Sequence, residues 1–378
     1  MHKEVITIKK ILFGITSLTL GGAERVLVDI SNKLSEKYDI TIFSIYDNGE
    51  LKNDLNKNIK FKALYNCRYD ELTKLQKMWI PIKILLFSKI IYNKKIKQNY
   101  NTEIAFLEGP ITRLFSTKNK DVHKIAWIHN DIEKVFGNDL KSKIKKYIDK
   151  NIYKKYDDLV FVSQDNMEKF QNIYNDLNTE NMHVIYNYID KDLVIKKSNY
   201  NIKVEFDYNS INFLTVCRLV KQKAIDRFIR VHSKLIKQGL KHKVYIIGDG
   251  PEKENLQKLI KQENVEDTFI LLGKKENPYP YIKNANYFCL LSEFEGYGMV
   301  LEEAKILNKP IIITNTAARE CIENYPKALI LENSEDEIYD GLYKLLNDND
   351  DKIFNNTKTN TEYDNTEKLQ KIIELVGD

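Results

Sequence analysis

The chain has 378 residues, 43% hydrophobic and 30% charged, enough for two globular domains that each bury a core and too apolar for a disordered chain. Its net charge of +5 is uneven: residues 1–190 carry about +7 and the remainder about −2. The excess lysines are not interleaved with a stacking platform and no RNA- or DNA-binding signature occurs, which argues against nucleic acid as a partner.

In chain order, Lys9 and Lys10 followed by ILFGITSLTLGGA imitate a signal peptide, yet the apolar run is short and holds Thr16, Ser17 and Thr19. It continues directly into GGAERVLVDISNKL, so the stretch reads as a first strand (Ile11–Ile15), a glycine loop and an amphipathic helix. Gly21 and Gly22 let the backbone approach a ligand, and the helix behind them offers free N–H groups to an anion. Strand-like runs follow at Ile40–Ile45, Ile59–Ala63, Glu103–Leu107, Lys124–Ile128, Leu159–Val162 and His183–Tyr186. Between them lie two lysine-rich segments, 74–97 (KLQKMWIPIKILLFSKIIYNKKIK) and 141–155 (KSKIKKYIDKNIYKK). Lysine mixed with large apolar residues at helical spacing fits a helix lying on an anionic membrane surface, or else a solvated helix face. Neither segment is a span, since Pro81, Lys83 and Lys89 interrupt the run around Ile84. His129, in IAWIHND, falls in a loop at a strand end, where both a structural and a catalytic role are open.

Polar residues from Asp190 to Ser210 read as a linker, giving domains 1–190 and 191–378. Strand candidates resume at Asn212–Cys217, Lys243–Ile247, Phe269–Leu272, Tyr287–Leu291, Ile311–Ile313 and Ala328–Leu331, and a final helix at Thr366–Val376 follows a polar stretch. Strands alternating with helices throughout predict an α/β fold: two doubly wound, Rossmann-like parallel-sheet domains facing a cleft.

The second half carries the chemistry. VCRLVKQKAIDRFI places Arg218 and Lys223 just past a strand end, where a planar fork and a point charge can clamp a diphosphate. IIGDGPEKENL adds a tight turn at Gly248 and Gly250, with Pro251 opening a helix. In SEFEGYGMVLEEAKILNKPIIITN, Glu295 and Glu303 are separated by seven residues that include Gly296, Tyr297, Gly298 and Met299. A strand, a glycine turn and a helix form the unit that holds phosphorylated ligands at a helix N-terminus. The paired carboxylates leave open ligand binding, acid/base work and nucleophilic catalysis. Asp348-Asn349-Asp350 matches a metal–nucleotide pattern but lies in the polar tail and is assigned no role. The four cysteines form no CxxC pair, so neither a disulfide framework nor zinc is indicated and a reducing cytoplasm fits. Phosphate-loop and nucleophile-elbow motifs are absent, against a P-loop ATPase or an α/β-hydrolase.

In series, GGAER, WIHND, FVSQ, VIYNYID, CRLVKQKAIDRF, IIGDGPE and SEFEGYGMVLEEA resemble family 4 retaining glycosyltransferases of the GT-B fold, over nearly the whole chain. The nearest likeness is to bacterial enzymes building capsule, exopolysaccharide or other lipid-linked glycans. That resemblance implies a nucleotide-diphospho-sugar donor, UDP first, and a lipid-linked glycan or polysaccharide acceptor. It also implies a cytoplasmic, metal-independent enzyme without a cofactor, whose final helix, residues 366–376, returns to the first domain. Arg218 and Lys223 would hold the donor diphosphate, Glu303 the ribose, and Glu295 with the amides of Gly296 to Met299 the sugar. Gly22 would approach the diphosphate and His129 the reacting sugar. A catalytically silent binding subunit of the same fold and a sugar-nucleotide epimerase are the alternatives.

Overall fold

The structure is a computed structural model that describes residues 8–47, 49–69, 71–117, 119–129, 140–347, 354 and 363–377. Asn130, Asp131 and the 348–350 acidic triplet lie outside the described residues. The chain divides into two compact units, 1–189 with 365–378, and 190–364.

In the first unit the strands are β1 (Lys10–Ile15), β2 (Asp39–Tyr46), β3 (Lys60–Tyr65), β4 (Thr102–Ala105), β5 (His123–Ile128), β6 (Asp158–Phe161) and β7 (Met182–Val184). They form a parallel sheet in the order β3-β2-β1-β4-β5-β6-β7. The covering helices are α1 (Gly22–Leu34), α2 (Lys74–Ile91), α3 (Pro110–Phe115), α4 (Leu140–Tyr153) and α5 (Gln164–Ile173). Helix α1 buries Val26, Leu27, Ile30 and Leu34, one face at helical spacing. On one side of the sheet Ile80 and Ile84 of α2, Phe115 of α3 and Ile152 of α4 share a core with Phe43 and Phe161. Helix α2 is kinked at Phe87 (φ −117°, ψ 19°) and runs into a wider π turn at Tyr92–Ile96. Buried among these elements, Lys124 Nζ lies 2.7 Å from Glu103 Oε2 and also donates to the Phe115 carbonyl at 2.8 Å. The Tyr92 hydroxyl satisfies the other Glu103 oxygen at 2.7 Å.

The second unit begins at Asp190. Residues expected as a polar linker contain helix α6 (Lys191–Ser198), because the Asp190 carboxylate caps it, accepting from Leu193 N at 2.9 Å. Strands β8 (Ile211–Val216), β9 (His242–Ile247), β10 (Phe269–Gly273), β11 (Tyr287–Leu290), β12 (Ile311–Thr314) and β13 (Ala328–Leu331) follow. They form a parallel sheet in the order β10-β9-β8-β11-β12-β13. Helices α7 (Ile225–Lys237), α8 (Lys253–Gln262), α9 (Tyr279–Asn284), α10 (Met299–Ile306) and α11 (Glu335–Asn347) cover it. Phe213, Phe228, Ile246, Cys289 and Ile312 lie in its core.

Helix α12 (Thr366–Val376) belongs to the first unit. Its Val376 carbonyl accepts from Thr102 Oγ1 at 3.2 Å, and Lys368 Nζ donates to the Asn187 carbonyl at 3.3 Å. In each sheet the strand order reverses beside the first strand, between β1 and β4 and between β8 and β11. Such switch points open a crevice at the carboxyl ends of the strands, where open α/β sheets bind ligands.

Candidate functional site

The loop after β8 is held by backbone. Cys217 N donates to Ile247 O and Leu219 N to Asp249 O, both at 3.0 Å, and Glu252 N donates to Leu219 O at 3.1 Å. Its neighbour, the turn after β9, has to be glycine. Gly248 adopts φ +152°, and a Cβ there would lie 1.8 Å from the Cys217 carbonyl oxygen. One at Gly250 would lie 2.3 Å from the Leu219 carbonyl oxygen. The two glycines therefore support the segment that carries Arg218. That guanidinium is exposed and makes no hydrogen bond or ion pair with the described residues. Burial pushes the adjacent Cys217 thiol up to about 12, so it supplies no thiolate nucleophile. A short turn, Lys221–Lys223, leads to Ala224 at φ 47°, ψ 38°, where α7 begins. A left-handed alanine costs roughly 1–2 kcal/mol relative to the right-handed region, strain of a kind found where a loop is held for a purpose.

The loop after β11, the neighbouring strand across the switch point, is tied to that turn by three contacts. Glu293 N donates to Gln222 O at 2.9 Å, Gln222 Nε2 donates to Phe294 O at 3.0 Å, and Lys223 Nζ pairs with Glu295 Oε2. Ser292 Oγ donates to the same Glu295 oxygen at 3.2 Å, while the Ser292 carbonyl accepts from Thr314 Oγ1 at 2.6 Å. The structure thus joins Lys223 to Glu295, and Arg218 sits on the same loop.

Gly296 is open, with no atom within 4 Å of where a Cβ would stand, and Gly298, at φ 70°, starts α10. In the first turn of that helix Leu301 N donates to the Gly298 carbonyl at 2.8 Å, while the N–H groups of Met299 and Val300 have no carbonyl within the helix to bond. Tyr297 faces the interior instead: it is buried, its hydroxyl donates to Glu302 Oε1 at 2.5 Å, and its carbonyl accepts from Cys321 Sγ. The side chain braces the turn, and what Tyr297 can present to a ligand is its backbone. Glu303 lies on the next helical position, and its Oε1 accepts from the Tyr279 hydroxyl, at the start of α9, at 3.1 Å.

In the first unit, Gly22 is the first residue of α1 and follows β1 at the other switch point. Glu24, in that first turn, folds toward Gly21: a Cβ on Gly21 would lie 2.2 Å from its Oε2. Burial raises the Glu24 carboxyl, with a backbone hydrogen bond opposing. His129 follows β5. Its N–H donates to Glu108 Oε1 at 2.6 Å, its carbonyl accepts from Asn166 Nδ2 at 3.3 Å, and its ring packs on Phe106 at a centroid distance of 4.7 Å. The residue as a whole is half-buried, but Nε2 is covered and has no hydrogen-bond partner among the described residues. Burial drives the imidazole down to about 3, so at neutral pH the ring is uncharged. Among the described residues no group of three or more His, Cys, Asp or Glu is placed to hold a metal ion.

Sequence reasoning missed Ser292 and Tyr279, which bond Glu295 and Glu303, and Gln222, which ties the two loops together. Gln222 and Ser292 stood inside quoted motifs, but nothing in their spacing linked them across the sheet. Tyr279 lies outside the motifs and carried no signal.

Residues 196–363 match the model of the family described as glycosyl transferases group 1. The chain is 28% identical over 343 residues to the N-acetylgalactosamine-N,N'-diacetylbacillosaminyl-diphospho-undecaprenol 4-alpha-N-acetylgalactosaminyltransferase of Campylobacter jejuni, covering 88% of this chain and 89% of that one. Anabaena HepE, solved with UDP and glucose, shares the fold with a TM-score of 0.73 at 16% identity, over 97% of this chain and 98% of that chain. S. aureus TarM does so with a TM-score of 0.73 at 16% identity over the full length of both chains. With its two parallel-sheet units and these neighbours the chain has the GT-B fold, and its residues 196–363 are similar to the group 1 glycosyl transferases.

Proposed function

We propose that the chain is a retaining hexosyltransferase moving a sugar from a UDP-sugar to a lipid-linked glycan or polysaccharide in cell-surface polysaccharide biosynthesis. The observation that carries this reading is the clamp between the β8 and β11 loops, which sets Lys223 against Glu295 beside the exposed Arg218. The HepE structure contains UDP, and the C. jejuni relative acts on a sugar carried by diphospho-undecaprenol; both favour the donor and acceptor classes named here. The nucleotide-sugar is a co-substrate, and no cofactor is needed.

As the bond from the sugar to the diphosphate breaks, negative charge grows on the leaving group. Arg218 and Lys223 stabilise it from fixed positions, with the first turn of α10 adding its N–H dipoles, so the reaction does not require a metal. Glu295 and the 296–299 backbone bind the sugar, and Glu303 accepts from the ribose hydroxyls. Glu295 shares its charge with Lys223, which makes it a poor nucleophile and favours departure and attack on the same face of the sugar. His129, held neutral by burial, does not serve as a general acid at neutral pH. The enzyme is cytoplasmic and meets its acceptor at the inner face of the cell membrane through residues 74–97 and 141–155.

A panel of nucleotide-sugars with mass detection tests this. One donor should be hydrolysed slowly without acceptor, and Lys223→Ala or Glu303→Ala should lower transfer on the order of a hundredfold or more. Wild-type transfer by both variants overturns the site, and a sugar trapped covalently on Glu295 overturns the same-face route.

A further inference from the structure

Helix α2 is apolar on two opposite sides. Ile80 and Ile84 face the core, while Leu75, Met78, Trp79, Ile82, Leu86 and Ile90 are exposed. At 100° per residue the five that precede the kink, Leu75 to Leu86, fall on one stripe about 160° away from the buried pair, and Phe87 and Ile90 are exposed at and beyond the kink. Covered by nothing in the described chain, Leu86 is 67% exposed and Trp79 58%. Lysines run from Lys74 to Lys97 along the same segment, and no carboxylate occurs between Glu71 and Glu103. A protein partner's contact face is normally poor in lysine, whereas an apolar stripe edged by lysine and bearing an exposed tryptophan suits the headgroup layer of a bilayer. No described helix is long and apolar enough to cross a membrane, so α2 would lie in the surface.

Helix α4 sits on the same side of the sheet, since Ile148 and Ile152 join the core that holds Ile80 and Ile84. Its outer face differs from that of α2. Ile144 and Tyr147 are its exposed large apolar residues, Asp149 is paired with Arg113 at 2.8 Å, and Lys150 and Lys154 both reach Asp176. Toward its start the helix is rich in lysine, with Lys143 and Lys145 exposed and Lys146 half-buried.

We infer that the two basic segments divide the work on an anionic phospholipid surface: the outer stripe of α2 inserts side chains below the headgroups, and α4 contributes charge without insertion. The inference deepens the proposed lipid-linked acceptor and rests on that reading for its purpose, though its observations are independent of the donor site.

The chain's own tryptophans supply the probe, because Trp79 is exposed and Trp127, at 1% exposure, is sealed in the core. The full-length protein is mixed at low salt with vesicles of phosphatidylglycerol and phosphatidylcholine, or of phosphatidylcholine alone, with and without brominated acyl chains. Blue-shifted emission and bromine quenching are expected on the anionic vesicles and absent in Trp79→Phe. Leu86→Ser with Ile90→Ser should lower partitioning by about tenfold or more, since two buried apolar side chains are removed. Slow UDP-sugar hydrolysis without vesicles should be unchanged in that variant. Lys143→Gln with Lys145→Gln and Lys146→Gln should also weaken partitioning, while the bound fraction keeps its Trp79 quenching. Absence of quenching at any salt concentration overturns the inference. So does a concentration-dependent blue shift without lipid, which would mark α2 as a contact between copies. Loss of insertion on replacing the α4 lysines, with vesicles saturated, overturns the division of work. Quenching without any sugar-nucleotide turnover would instead refute the donor reading and leave the membrane surface standing.

Discussion

Replacing Gly248 by alanine perturbs the site without touching any group that would contact a donor. The added Cβ would stand 1.8 Å from the Cys217 carbonyl oxygen, and φ is +152°, where L-residues are strained. Relief to a tolerable contact of about 3.2 Å requires the two backbones to part by roughly 1.4 Å. The backbone strain costs about 1–3 kcal/mol. The movement also disturbs the Cys217 N to Ile247 O bond of 3.0 Å, worth about another 1 kcal/mol. A loss of about 2–4 kcal/mol in the stability of the second unit is therefore expected, read by denaturant unfolding. Because Arg218 follows Cys217 directly, a shift near 1 Å at the loop should lower kcat/KM for the donor by about a hundredfold in the surviving folded enzyme. Gly296→Ala is the control for stability, since an added Cβ there meets nothing within 4 Å. If Gly248→Ala unfolds at the same denaturant concentration as wild type and turns over donor within twofold, the support assigned to this turn is wrong.

Three further outcomes follow from named contacts. Tyr279→Phe removes the hydroxyl that donates to Glu303 Oε1 at 3.1 Å, and calorimetric titration with UDP should show affinity about tenfold weaker, with kcat little changed; unchanged affinity would detach Tyr279 from the ribose carboxylate. His232 and His242 form a buried pair, Nδ1 to Nε2 at 2.8 Å, and burial holds them down at about 2 and about 4. Both folded values lie below the unfolded one, so their contribution is present above pH 6.5 and is lost as pH falls toward 4, by roughly 1 kcal/mol per pH unit for each ring; melts between pH 8 and 5 that keep their slope in His242→Gln would refute this. The opposite sign holds in the first unit, where Asp158 bridges His123 at 2.6 Å and His183 at 2.7 Å. The hydrogen bond to Asp158 raises His123, so that contribution is full below the unfolded pKa and fades as pH rises through the folded one. Asp158→Asn should abolish this fading in pH-dependent melts of the first unit, and a variant that behaves like wild type from pH 5 to 8 would refute the assignment.

The thirteen strands of the described residues were legible because most strands of a parallel sheet are buried on both faces and read as short apolar runs. Their observed ends differ from expectation by at most two residues. Helix α6 was not legible: it buries only Val194 and Ser198, too little to mark a face, and its cap Asp190 looked like linker polarity. At the site, glycines, cations and carboxylates stood out by type, but the contacts joining them cross between neighbouring strands and leave no period in the sequence. Side-chain direction in the turn was equally hidden. Tyr297 and Gly296 are adjacent, yet one is locked inward by Glu302 and the other is open. The second apolar side of α2 was masked for a related reason. A helix apolar all round reads simply as hydrophobic, and only its exposure in the fold separates the stripe that is covered from the stripe that is not.

The two cations of the site differ in what holds them, and that difference can be measured. Lys223 is fixed before any ligand arrives, by Glu295 and by a left-handed residue immediately after it, whereas Arg218 has no partner among the described residues. A donor diphosphate therefore meets one preorganised charge and one side chain that must be ordered on binding. Preorganisation makes Lys223 dependent on Glu295: with the carboxylate gone, the ammonium is free to leave its position, and with the ammonium gone, a largely buried carboxylate is left without its counter-charge. Lys223→Met and Glu295→Gln should each lower donor turnover strongly, and the double variant should lose much less than the product of the two. A coupling of about 1–3 kcal/mol is expected for residues acting as a unit. Arg218→Met paired with Glu295→Gln should be additive within about 0.5 kcal/mol. If the Lys223 and Glu295 effects add as independent losses, the ion pair is an incidental contact of the empty loops, and the preorganised clamp fails as the basis for catalysis.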